Sequence, residues 1–114
     1  MMVGSLMIGG ACKADEVTAT GVAGEGQKLA QNKGCTACHS SDGTKAAGPS
    51  WKGLWESQVN LEDGSTVTAD RAYIIESIRQ PQAKIVKGSV GAMARADLTN
   101  EEIDTLIEYL KILK

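Results

Sequence analysis

A chain of 114 residues is the length of one small domain. Its formal net charge of −2 gives no bulk attraction for polyanions, so no nucleic acid is expected as a partner. Aromatic residues make up 4% with no Phe, a thin stock for a small core that must stand without a staple or a bound group.

Met1 to Cys12 carries no charge and is rich in Met, Leu, Ile, Val and Gly. It is shorter than the about 20 apolar residues of a membrane helix and fits the apolar region of a secretory leader better. Ile8-Gly9-Gly10-Ala11-Cys12 loosely resembles a lipobox. Ala11 fits; Gly9 stands where an aliphatic residue is usual, and no basic region precedes it. Two readings stand: a lipidated Cys12 that tethers the protein to a membrane, or a leader with an incidental Cys. Lys13 to Ala23 is small and polar and reads as a flexible linker. Residues 1–22 are therefore set apart from a domain over 23–114.

A first helix is predicted over Gly24 to Lys33, with Gly34 placed to end it. Cys35-Thr36-Ala37-Cys38-His39 follows at once and spells C-x-x-C-H, the attachment pattern for c-type haem. Two thiols at this spacing can each add to one vinyl group of one porphyrin edge. The next residue is then an imidazole under the iron, ready to be the proximal ligand. A dithiol redox pair also uses C-x-x-C, but near a βαβ pattern that does not follow here. Zinc wants a second Cys/His pair, whereas the chain has one His and its third Cys is the distant Cys12. A buried porphyrin would also supply the apolar mass that the composition lacks.

Ser40 to Gly53 is a Gly- and Ser-rich loop around Gly48-Pro49. Val59 and Leu61 alternate with polar residues, Asp63-Gly64 makes a turn, and Thr66-Val67-Thr68 returns, which predicts a two-stranded hairpin. A middle helix is predicted over Ala69 to Arg79, with Ala72, Ile75 and Ile78 on one face, stopping before Pro81. The last helix is the clearest. Thr99 and Glu102 form a capping box. Ile103, Leu106, Ile107, Leu110 and Leu113 recur at helical spacing, with Glu101, Asp104, Glu108 and Lys111 on the outer face.

A six-coordinate haem needs a second axial ligand. His39 is the sole His, and Met1, Met2 and Met7 lie in the leader, which leaves Met93. It sits among Gly91, Ala92 and Ala94 in a loop, not in a periodic apolar stripe of the kind a gap-filling core Met occupies. A soft thioether favours ferrous iron and raises the potential. With both axial positions filled, the iron moves one electron and binds no substrate.

The order of helix, C-x-x-C-H, Gly-Pro loop, middle helix, Met loop and amphipathic last helix resembles class I cytochromes c over residues 23–114. Gly48-Pro49-Ser50-Trp51-Lys52-Gly53-Leu54-Trp55, Leu61-Glu62-Asp63-Gly64-Ser65, Ala72 to Ile78, and Ile85-Val86-Lys87-Gly88 are similar to the cytochrome c domain fused to subunit II of bacterial haem–copper oxidases. They are equally similar to related monohaem subunits such as that of alternative complex III. The resemblance implies a mostly α fold, three to five helices around one covalent haem c with a small β-hairpin insertion. It implies a Pro49 carbonyl that receives the His39 ring N–H. Trp51, Leu54 and Trp55 would pack on or beside the porphyrin, and Tyr73, Ile74 and Ile78 would line the pocket. Gly26 and Tyr109 would meet where the first and last helices cross. Export to the periplasmic side follows from where such proteins mature. Two residues depart from the family pattern: Ala94 follows Met93 where Pro is usual, and Ala30 replaces a common aromatic.

Lys45 and Lys52 lie in an acid-free stretch over residues 43–55, and Arg79, Lys84, Lys87 and Arg95 in another over 77–96. Against the overall −2, these six cations leave −8 on the rest of the chain. The resemblance implies that both stretches approach the exposed haem edge, so one reading is a basic docking rim on an acidic protein, facing a copper domain of an oxidase or another cytochrome; the other is a set of solvated loop charges. The leading function is a one-electron carrier of a bacterial respiratory chain, or an electron-entry domain of a cytochrome c oxidase, and not an enzyme in itself. The alternative is a gas-binding or peroxidatic haem protein with a labile sixth ligand.

Overall fold

A computed structural model describes residues 19–114, so the leader, Cys12 and the lipobox-like run lie outside the described residues. In chain order the elements are helix α1 (Gly21–Asn32), a 3-10 turn (Cys35–Ala37), strands β1 (Gln58–Asn60) and β2 (Thr66–Thr68), helix α2 (Arg71–Arg79) and helix α3 (Asn100–Ile112). The architecture is the mostly α one expected, with one antiparallel two-stranded sheet.

Helix α3 organises the rest. Its capping box closes as predicted: the Glu102 N–H donates to Thr99 Oγ1 at 3.1 Å, and the Thr99 N–H donates to Glu102 Oε1 at 2.9 Å. Two otherwise orphaned donors are thereby satisfied, a contribution of about 1 kcal/mol. Ile103, Leu106, Ile107 and Leu110 are buried, as is Leu113 just past the helix. Tyr109 joins them and meets α1. A Cβ at Gly26 would stand 2.9 Å from Tyr109 Cβ and collide with the Thr105 carbonyl oxygen. The missing side chain at Gly26 is what lets the two backbones touch.

Helix α1 begins at Gly21, not Gly24, and ends at Asn32. Thr20 in extended backbone serves as N-cap, and its carbonyl receives the Gly24 N–H at 3.1 Å. The stretch read as linker up to Ala23 is therefore helical from Gly21 onward. Small, weakly patterned residues hid this turn.

The hairpin pairs Gln58 with Thr68, Val59 with Val67 and Asn60 with Thr66. Its turn is held by Asp63 Oδ1, which accepts from both the N–H and the hydroxyl of Ser65. Those bonds hold the Asp63 carboxyl below its usual range. On its other side the hairpin grips the chain that follows α2. Leu61 bridges Val86, the Glu62 N–H donates to the Ile85 carbonyl, and the Lys87 N–H donates to the Asn60 carbonyl.

Helix α2 starts at Arg71 because Asp70 caps it, its Oδ1 accepting the Tyr73 N–H at 2.9 Å. It stops at Arg79, since Pro81 pushes Gln80 out of helical backbone. The predicted face needs correction. Ala72 is exposed and Ile75 only partly buried, while Tyr73, Ile74 and Ile78 point inward. The aromatic at Tyr73 rotates the buried face by about one residue relative to the aliphatic spacing. Arg79 then reaches across, its guanidinium donating to the Leu98 carbonyl and to Asn100 Oδ1, and so ties α2 to the start of α3.

Candidate functional site

The C-x-x-C-H segment takes its shape from Gly34. This residue has φ +79°, a left-handed conformation that ends α1 and that side chains rarely adopt. The chain then coils into a 3-10 turn, with the N–H groups of Cys38 and His39 both donating to the Cys35 carbonyl. Cys35 is half-buried and Cys38 exposed. Burial pushes the Cys35 thiol above its ordinary range.

His39 is fixed from behind. The Gly48 N–H donates to the Cys38 carbonyl at 2.9 Å, and the Trp51 N–H donates to the Ser40 carbonyl at 2.7 Å. These two bonds fold the 40–51 loop back along the motif and set the Pro49 carbonyl 2.8 Å from His39 Nδ1. A carbonyl can only accept, so Nδ1 carries the proton and Nε2 keeps its lone pair for a metal. Trp51 stacks on the imidazole, ring centroids 5.2 Å apart and planes 18° off parallel. Tyr109 meets Trp51 edge-on at 6.3 Å. A line of contacts thus runs from Gly26 through Tyr109 and Trp51 to the His39 ring.

Gly48 closes this arrangement. A Cβ there would lie 2.6 Å from His39 Cε1 and 2.9 Å from Nδ1. Gly48→Ala is expected to tilt the imidazole, lengthen its bond to Pro49 and cost about 1–3 kcal/mol of stability, the range for overpacking. Thermal melts of the haem-loaded protein and its midpoint potential would both shift; unchanged values would mean the loop absorbs the methyl group.

A cavity of about 490 Å³ opens in front of His39. That volume lies within the roughly 300–1,000 Å³ of pockets that hold cofactor-sized ligands. Its wall is predominantly apolar, with Ile74, Ile78, Ile85, Val86, Leu106 and Leu110 among its members. Cys35, Cys38 and His39 line it, and so do Pro49, Trp51, Leu54, Tyr73 and Met93. Two thiols at the rim, an imidazole with a free Nε2, and an apolar slot form the donor set that a covalently attached porphyrin requires. The residues therefore fit a c-type haem. Among the described residues no group of three or more His, Cys, Asp or Glu is placed to hold a metal ion by itself.

The structure does not bring every sequence-derived candidate together. Trp55 lies outside the cavity wall. The backbone turns with positive φ at Gly53 and the Gly53 N–H binds the Leu113 carbonyl. The Trp55 ring faces away, half-buried, with Lys111 Nζ 5.6 Å from its centroid. Sequence reasoning gave Gly48 no role of its own. Its signal was present: a residue whose neighbour's carbonyl must touch the imidazole has no room for a side chain. The parts of the wall that come from α3 were read only as core, because one amphipathic face serves both purposes.

A family model described as cytochrome c matches residues 23–114. Among curated proteins, cytochrome c2 iso-1 of Magnetospirillum fulvum is 31% identical over 90 residues, covering 70% of this chain and 91% of that protein. Motif, fold and cavity chemistry agree with this similarity. The chain belongs to the cytochrome c family: it is a haem electron carrier that holds one c-type haem covalently.

Proposed function

We propose that this protein is an exported one-electron carrier of a bacterial respiratory chain, with His39 and Met93 as the two axial ligands of its iron. The haem supplies reversible one-electron chemistry between ferrous and ferric iron. Cys35 and Cys38 hold it to the chain, His39 presents Nε2 to it, and the Pro49 carbonyl fixes that orientation. The observation that carries the reading is that Met93, the sole methionine after the leader, lines the same cavity as His39. A thioether in that position raises the potential and denies the iron to substrates, which suits a relay.

The partner is an acidic redox face, such as the copper domain of an oxidase or another cytochrome. The sequence pattern also supports a kinship with the oxidase-fused and alternative-complex-III domains. Ion pairs narrow the docking charge. Lys84 is paired with Glu76 and Arg95 lies 3.9 Å from Asp97, just beyond the acid-free stretch. Arg79 donates to the Leu98 carbonyl and Asn100 Oδ1, neutral acceptors that fix its position and leave its charge in place. Lys45, Lys52, Arg79 and Lys87 have no carboxylate within 4 Å among the described residues, and they carry the proposed steering charge. Among the described residues no helix is long and apolar enough to cross a membrane; a tether, if Cys12 is lipidated, lies outside them.

The test has two readouts. The ferric protein is expected to show the near-infrared thioether–iron charge-transfer band, and ready CO binding at neutral pH would point to a gas-binding haem protein instead. Electron-transfer rates with an acidic partner are expected to fall as salt rises from 10 mM to 150 mM, where the screening length drops from about 30 to about 8 Å. Salt-independent rates would remove the docking argument.

A further inference from the structure

The segment that carries Met93 is held at both ends and almost nowhere between. At one end the Val90 N–H donates to the Ala47 carbonyl at 2.9 Å; at the other the Ala96 N–H donates to the Ile78 carbonyl at 3.2 Å. Residues 91–95 have no regular structure. Met93 itself is 37% exposed, so packing alone does not clamp it. Among the described residues, one hydrogen bond reaches the main chain between those anchors: Gln82 Nε2 donates to the Met93 carbonyl at 3.4 Å. Gln82 stands in the turn directly after α2, next to Pro81, whose ring restricts the local backbone. The turn is further closed by the Ala83 N–H, which donates to the Gln80 carbonyl. An amide carried on a turn of restricted backbone thus reaches a loosely held carbonyl.

We propose that Gln82 is a positioning residue for the sixth ligand: its side-chain amide braces the Met93 backbone and slows the opening of the iron–sulfur bond. The inference rests on Met93 being that ligand. The physical argument is one of entropy. When a ligand sits on a flexible loop, the metal–sulfur bond competes with the freedom of the chain that carries it. Ala94, with ordinary backbone freedom, adds no stiffness directly after Met93. A side-chain bond to the residue's own carbonyl removes part of that freedom without touching the metal.

The experiment uses the haem-loaded ferric protein and imidazole as the probe. At saturating imidazole the binding rate levels off at the rate of iron–sulfur opening. Gln82→Ala is expected to raise that plateau about three- to tenfold, the factor to which one net hydrogen bond converts. Gln82→Glu keeps the shape but removes the N–H donor, so it is expected to raise the plateau at least as much. Both variants should keep the charge-transfer band and the chemical-denaturation midpoint of the unaltered protein, since Gln82 is exposed and outside the core. A plateau unchanged in both variants, or raised in Ala but not in Glu, overturns the brace. Absence of the charge-transfer band from the unaltered protein overturns the Met93 assignment, and the brace with it.

Discussion

Met93→Ala is expected to lower the midpoint potential by roughly 0.1–0.3 V, within the ~0.8 V that axial ligands span. The sign follows from ligand chemistry. A thioether is a soft ligand that favours ferrous iron; the water that would replace it is hard and favours ferric iron. The size is set by how much of the pocket survives. Ile74, Ile78, Leu106 and Leu110 do not depend on Met93 for their burial, because three of them belong to the faces that α2 and α3 turn toward one another and Leu110 is among the most deeply buried side chains. The low-dielectric surroundings therefore persist and the ligand change dominates. Loss of the charge-transfer band and uptake of CO by the reduced protein should accompany the fall. A potentiometric titration with optical detection reads all three. An unchanged potential and spectrum would mean that some other group faces His39 across the iron.

The legibility of this protein in its sequence is uneven, for physical reasons. Helix α3 could be read nearly to the residue, since its cap is a pair of side chains at fixed spacing and its face repeats with helical period. The hairpin was readable from alternation and a turn dipeptide. Cys35, Cys38 and His39 were readable because chemistry fixes their types and spacing together. The face of α2 was not readable from aliphatic spacing, because Tyr73 buries an aromatic body that such counting passes over; only the family resemblance pointed to Tyr73, Ile74 and Ile78. The start of α1 was not, since Gly21, Val22 and Ala23 carry little pattern. That Trp55 stands outside the cavity wall was not readable either, because adjacency to Leu54 says nothing of which way a turn sends the next ring. The role of Gly48 is a steric one that emerges only when the loop is folded onto His39.

The basic stretches teach the same lesson about charge. Read along the chain, six cations fall in two acid-free stretches; folded, Lys84 and Arg95 already answer to Glu76 and Asp97. Exposed pairs such as these contribute little to stability. They matter here because Glu76 and Asp97 offset the charge of Lys84 and Arg95 locally, leaving Arg79 and three lysines to orient the approach of a partner.

The haem-free Cys35→Ser/Cys38→Ser variant is expected to lose cooperative unfolding altogether. The cavity of about 490 Å³ is cut into the same core that α1, α2 and α3 share, with Leu106 and Leu110 serving both core and wall. Without the haem those apolar walls face water, and each Leu or Ile left exposed forfeits about 1.5–3 kcal/mol of burial, against a whole stability of about 5–15 kcal/mol for many small domains. The Phe-free, aromatic-poor composition provides no reserve with which to collapse around the gap. Urea titration followed by far-ultraviolet circular dichroism should show a sloping, non-cooperative loss of helix in the double variant and a sharp transition in the haem-loaded protein. Each single Cys→Ser variant keeps one thioether link and should fall between them. If the haem-free double variant unfolded with the same midpoint and slope as the loaded protein, the polypeptide core would be sufficient by itself, and the haem would be a passenger in this fold instead of its centre.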